Sequence, residues 1–239
     1  MGLRPLPVDR WLEPATPAEL AAKVACLDAH PDAVAWLPGS EGAQAELAGV
    51  LGVSPPTIGG CGRAVVDDLC LLDGDTLVLV AGAVVHPNRW RLADKLGRPL
   101  LEVHGPVPGY PGRLADQVER VLRSLSPGRA AERRGWALLN DATLHQPEPT
   151  AGMPAIFDPE GLWLRVERQV LRRLPATRAV VFAIRTRQWS LDELAAHPEQ
   201  ASGLAASLRS TPADLATYKG VAAIRGDLLT WLDQVGGPR

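Results

Sequence analysis

Much of what would announce a common enzyme is absent from these 239 residues. There is no G-x-S-x-G elbow for a serine nucleophile, and no G-x-x-x-x-G-K-[ST] loop to cradle a nucleotide phosphate. No G-x-G-x-x-G follows the first strand-like run, so a dinucleotide fingerprint is missing too. Cysteine is scarce and odd in number: Cys26, Cys61 and Cys70 form no C-x-x-C pair. That excludes a zinc-ribbon or disulfide framework and suits reduced thiols. No apolar run approaches a membrane span, and "MGLRPLPVDRWLEP" lacks the apolar centre of a signal peptide, so the expected location is the cytoplasm. Net charge is only −2, which argues against a nucleic-acid or anionic-membrane binder. Phe and Tyr number two each against seven Trp. The five histidines, His30, His86, His104, His145 and His197, stand apart, with no H-x-x-x-H or H-x-E pair to place two metal ligands on one element.

What is present is an ordinary globular balance, 46% apolar and 22% charged. "TPAELAAKVACLDAH" (16–30) starts with a capping box, Thr16 and Glu19 around a first-turn proline, and predicts a helix. A second helix is expected over 41–52, followed by a loop, "VSPPTIGGCG". From residue 63 short apolar or β-branched runs predict strands: "RAVVDDLCLL", "TLVLVAGAVV", "PLLEVH", "RGWALLND", "LWLRVERQVL" and "AVVFAIRTRQW". A helix at about 112–125 interrupts them, with Leu114, Val118, Val121 and Leu122 on one face. After residue 190 the pattern turns helical, with a capping box at Ser190 and Glu193, a start at "TPADL" and a final helix over 221–235. Strands grouped between helices point to an α+β fold with a mostly antiparallel sheet of about five or six strands.

Three stretches carry possible chemistry. In "LLEVHGPVPGY" (100–110), His104 stands where an apolar run meets a Pro/Gly loop. It is either a satisfied core histidine or a ligand on a stiff mount, since each proline fixes its own φ and restricts the residue before it. One imidazole suffices for haem iron, and His104 and His86 are both candidates. In "WLRVERQVLRRLP" (163–175), a strand would align Arg165, Glu167 and Gln169, whereas a helix would align Arg165, Arg168 and Arg172. That face is either a solvated one or an Arg/Glu pair able to clamp a carboxylate. Cys70, alternating with apolar residues, reads as a buried structural thiol.

Taken in order, "GLRPL…WL" (2–12), "VDDLCLL" (66–72), "HPNRWRLADKLGRPLLEVHGPVPGY" (86–110), "RRGWALLNDATLHQP" (133–147), "LRVERQVLRRLP" (164–175), "AVVFAIRT" (179–186) and "ATYKG" (216–220) resemble the haem-dependent oxidative N-demethylase alpha-subunit family. The resemblance implies one PAS-like domain over 1–239 that binds haem b through its iron. Residues 1–60 would be a helical segment, 61–189 the sheet core and 190–239 the C-terminal helices. It implies an O2-using monooxygenase that removes a methyl group from a small amine, or hydroxylates one. Electrons would come from a separate NAD(P)H-dependent flavin/iron–sulfur reductase, with no nucleic-acid or membrane partner. A haem-based sensor without catalysis is the other class such a fold serves, and the last helix could form a homodimer.

On this resemblance His104 is the axial ligand and His86 its competitor. Trp90, Lys95, Arg133, Trp136 and Tyr110 are expected around the cofactor. Arg165 and Arg185 would stabilise bound oxygen or a propionate, and Glu167 and Asp68 would hold a cationic amine. Two departures bear on substrate. The expected R-x-N-W reads Arg133, Arg134, Gly135, Trp136, and the expected Q/E-D-L reads Asp67, Asp68, Leu69.

Overall fold

The computed structural model describes every residue except 1, 106, 110 to 114, 151, 238 and 239. Seven strands form one antiparallel sheet: β1 (Arg4–Pro7), β2 (Val34–Trp36), β3 (Asp68–Leu72), β4 (Leu79–Ala83), β5 (Arg129–Leu139), β6 (Trp163–Arg173) and β7 (Val180–Ser190). Their order across the sheet is β1-β5-β6-β7-β3-β4-β2. The described helices are α1 (Pro17–Ala29), α2 (Glu41–Leu51), α3 (Ile58–Ala64), α4 (Leu92–Lys95), α5 (Leu100–Val103), α6 (Ala115–Ser124), α7 (Pro198–Arg209), α8 (Ala213–Tyr218) and α9 (Arg225–Gly236). The fold is α+β, as expected, and helices lying against an antiparallel sheet agree with a PAS-like arrangement. No helix among the described residues is long and apolar enough to cross a membrane.

The long strands β5, β6 and β7 pair over ten or eleven positions, and their side chains alternate between two faces. One face is apolar at both ends, with Arg168, Arg185 and Arg187 between them. Leu69, Leu71, Val170, Val181 and Ala183 pack there against Trp11, Leu47 and Ile58 from the N-terminal third. Farther along, Trp136, Leu138 and Leu164 pack against α7 and α9 through Leu204, Leu208, Leu228 and Leu232. The opposite face is apolar at one end only, where Cys70, Leu72, Leu171 and Phe182 meet Leu92, Leu100 and Leu122.

Several local expectations are met. The capping box at Thr16 and Glu19 forms in full, and Cys70 is buried within β3. Others need correction. The 1–60 segment is not purely helical, because β1 and β2 from it form the two edges of the sheet and raise the strand number to seven. The "TIGGCG" part of the expected loop is α3, started by Thr57, whose hydroxyl accepts from Gly60 N at 3.0 Å. Its glycines serve close packing: a Cβ on Gly62 would lie 2.6 Å from that of Ala83 on β4. "PLLEVH" is a helical turn, not a strand. Pro99 presets its φ, Leu100 alone is buried, and His104 N closes on Leu100 O at 3.1 Å. Ser190 ends β7 and bonds Asp192 instead of capping a helix, and a short 3-10 turn, Asp192–Ala196, follows. The helix expected at 112–125 runs over Ala115–Ser124; Leu114 lies outside the described residues.

Candidate functional site

The strand reading of 163–175 is the correct one, and it places Arg165, Glu167 and Gln169 on the less apolar face. Their register partners on β5 are Ala137, Gly135 and Arg133, and on β7 Gln188, Thr186 and Ile184. Arg165 is fully buried, so its charge needs partners at every nitrogen. Its Nε donates to Glu167 Oε1 at 3.0 Å, its Nη1 to Leu144 O at 3.0 Å, and its Nη2 to Thr186 Oγ1 at 3.3 Å and to His86 O. Gln169 Nε2 donates to the other Glu167 oxygen at 2.8 Å, and Arg133 Nε donates to Gln169 Oε1 at 2.6 Å. A polar chain therefore runs Arg133, Gln169, Glu167, Arg165 and on to the backbone of His86. Gly135 sits opposite Glu167, and among the described residues a Cβ there would meet only Gln169 Nε2, at 4.0 Å. The described residues leave space beside the carboxylate.

Beyond Glu132, where pairing with β1 ends, the carbonyls of β5 find cationic donors. Lys219 Nζ donates to Trp136 O at 2.5 Å and lies 4.4 Å from the centre of the Trp136 ring. Arg89 Nη2 donates to Leu138 O at 3.2 Å and to Gly152 O at 3.3 Å. Burial pushes the Lys219 ammonium down to about 8; Glu167 works against that, while Arg89 and Arg133 add to it. These charges feel one another across one region, in which Arg89, Arg133, Arg165 and Lys219 outnumber Glu167.

His104 closes the α5 turn with Nδ1 3.2 Å from Leu100 O. A carbonyl only accepts, so Nδ1 carries the proton and Nε2 the lone pair. Burial pushes its pKa down to about 4, the Leu100 bond opposes that, and Lys95 and Arg133 assist. The imidazole is therefore neutral near pH 7. Lys95 supports the turn from below: its Nζ donates to Val103 O at 3.1 Å and lies 4.6 Å from the centre of the Trp90 ring.

The structure sorts the expected site residues into separate groups. Arg133, Arg165 and Glu167 share the open face; His104, Lys95 and Trp90 form the adjoining turn, with Arg133 electrostatically in range. His86 belongs elsewhere. Burial takes it to about 4 as well, but the charges acting on it are those of Asp68, Lys23, Arg165 and His145. Asp68 is an anchor and holds no substrate-facing oxygen in reserve: it accepts from Val85 N at 3.0 Å and His86 N at 2.8 Å, and pairs with Lys23 at 3.3 Å. Arg185 projects to the opposite, apolar face, where it binds Asp67 at 3.2 Å and Pro14 O at 2.9 Å. The Trp136 side chain also turns to that face and donates to Ser207 Oγ at 2.8 Å. Tyr110 lies outside the described residues.

Sequence reasoning did not single out Lys219 or Arg89 as members of the site, and marked Gly135 only as a departure bearing on substrate. Lys219 reaches Trp136 across 83 residues, and its only signal was its place in "ATYKG". Cys61 and Cys70 are raised by burial, to about 11 and about 12, which suits inert thiols. Residues 55–229 match the family described as haem-dependent oxidative N-demethylase, alpha subunit-like.

Proposed function

The chain belongs to that family, and on this premise we propose that it binds haem b between His104 and the face carrying Gly135, Glu167 and Gln169, and oxidises a small amine with O2. The observation that carries this reading is the state of His104: a neutral imidazole, its Nδ1–H directed to a carbonyl, beside a sheet face on which the described residues leave space at Gly135. A backbone acceptor on one ring nitrogen is the usual support for a histidine that ligates through the other. The cationic groups fit the second requirement, because haem carries two carboxylates and arginine and lysine bind carboxylates well. Arg133 and Lys219 are assigned to that task.

Haem would supply iron chemistry for oxidation by O2, with electrons from a separate NAD(P)H-dependent reductase. The protein's own residues bind and orient. Arg165, engaged at every nitrogen, is a positioning residue that fixes the Glu167 carboxylate. Glu167 attracts the ammonium or N–H of an amine. Lys219, titrating near 8, keeps its positive charge at neutral pH, as its place at a haem carboxylate requires. Glycine at 135 leaves room next to Glu167 where the family resemblance leads one to expect asparagine, so the amine accommodated here is bulkier on that side. The described chain acts as one haem-binding unit.

The test is the visible spectrum of protein expressed with haem, beside His104→Ala, followed by O2 uptake with amines and a reductant. We expect a Soret band that shifts or disappears in the variant, and O2 uptake that depends on amine. A colourless wild type would rule the reading out. A band unchanged in His104→Ala would move the ligand to His86.

A further inference from the structure

The three residues Cys26, His30 and His145 come together around the Val85 carbonyl, next to His86. Cys26 and His30 stand four apart at the end of α1, which puts them one above the other on the same side of the helix. His145, from the 140–146 connection, lies on His30 with ring centres 3.6 Å apart and planes 14° apart. One ligand atom from each of the three falls within 4.8 Å of the others, and all three residues are half-buried. His145 Nδ1 is 2.8 Å from Val85 O, so that nitrogen carries the proton and Nε2 carries the lone pair. The Val85 backbone is itself fixed by the bond from its N–H to Asp68. Nothing in the polar chain around Glu167 uses these three side chains.

We propose that Cys26, His30 and His145 form a binding site for one Zn2+ ion. One sulfur and two imidazole nitrogens suit a borderline-soft divalent ion. With Zn–S near 2.3 Å and Zn–N near 2.0–2.1 Å, tetrahedral ligands stand about 3.3–3.8 Å apart. The ligand atoms lie within 4.8 Å of one another, and the His30 ring turns out of its stack on His145 to bring its lone pair onto the ion. Three protein ligands leave a fourth position for water or an exogenous ligand. The bond from His145 to Val85 O is the outer support that metal-ligating histidines commonly have. The ion would tie the end of α1 to the 140–146 connection, two segments far apart in sequence. The sequence shows only the spacing of four between Cys26 and His30, and the fold brings His145 to them.

The test uses the full chain with any affinity tag removed, stripped by chelator and titrated with Zn2+ against a chromophoric competitor. We expect one Zn2+ per chain. Cys26→Ser, His30→Gln and His145→Gln should each lose more affinity than the roughly 10–100-fold that removal of an outer partner costs. Circular dichroism establishes that each variant is folded. A measurement on the wild type alone guards against misfolded variants: Cys26 is the most accessible of the three cysteines, and Zn2+ should protect it from alkylation as mapped by mass spectrometry. Co2+ in place of Zn2+ should give a thiolate charge-transfer band. Absence of stoichiometric Zn2+ binding, retention of binding in all three variants, or alkylation of Cys26 unaffected by Zn2+ would each overturn the proposal. Haem content is read separately from the Soret band, so failure here and failure of the oxygenase reading are distinguishable.

Discussion

The two faces of the sheet use the same residue type, arginine on neighbouring strands, to opposite ends. On the apolar face Arg185 is held by Asp67, Pro14 O and Glu19, and it ties the N-terminal segment down onto β7. Around it are the two larger apolar clusters, each with fifteen buried members. On the other face Arg165 is as deeply buried, but its partner Glu167 continues through side chains along the sheet, into Gln169 and Arg133. On the first face the network ends on the N-terminal segment that it fastens, at Pro14 O and Glu19. The other passes its charges by steps toward the space that the described residues leave at Gly135. A buried guanidinium therefore says nothing of function until its last partner is known: a network that ends on a fastened segment stabilises, and a network that leads to such a space can bind.

Substitutions that affect one face and leave the other alone can break this contrast. The largest expected effect is on the apolar face. Arg185→Ala leaves the Asp67 carboxyl, already raised by burial, without its nearest cation. Removing one member of a buried pair should cost about 3–5 kcal/mol of stability. Denaturant midpoints measure this, and the folded fraction should keep its Soret band. A loss below about 1 kcal/mol would mean that water reaches the pair.

Gly135→Leu asks the converse question. Its Cβ has space, so stability should change by less than about 1 kcal/mol. The longer side chain should fill the floor and weaken haem uptake at least about tenfold, or about 1.4 kcal/mol. Haem titration of the apoprotein measures the effect; full-strength uptake would show that the floor is not used.

A third contrast is a pH dependence. His104 and His86 titrate at about 4 in the folded chain against 6.5 without perturbation. Between those values the unfolded chain binds protons that the folded chain does not, so stability falls as pH drops from 6.5 to about 4. His104→Gln should flatten part of that fall, leaving the share due to His86. An identical pH profile in the variant would place His104 in water.

Local sequence carried the parts of this protein that depend on nearest neighbours. Thr16 and Glu19 form their capping box because the spacing of three is complete within one turn. The period-two pattern of 163–173 became β6 and aligned Arg165 with Glu167 because side chains of a strand alternate whatever lies beyond them. The family was legible too, since its blocks recur in order along the chain. Three things were decided elsewhere. Arg165 and Arg185 are equivalent by charge and local context, and only the register of β6 against β7 sends them to opposite faces. "PLLEVH" has the composition of a strand, yet it forms a turn because Pro99 starts it and β3 and β4 already pair with each other. Lys219 joins Glu167, and His145 joins Cys26 and His30, across long stretches of chain. Such contacts are set by how the layers pack, and packing energy depends on surfaces that meet only after the chain has folded.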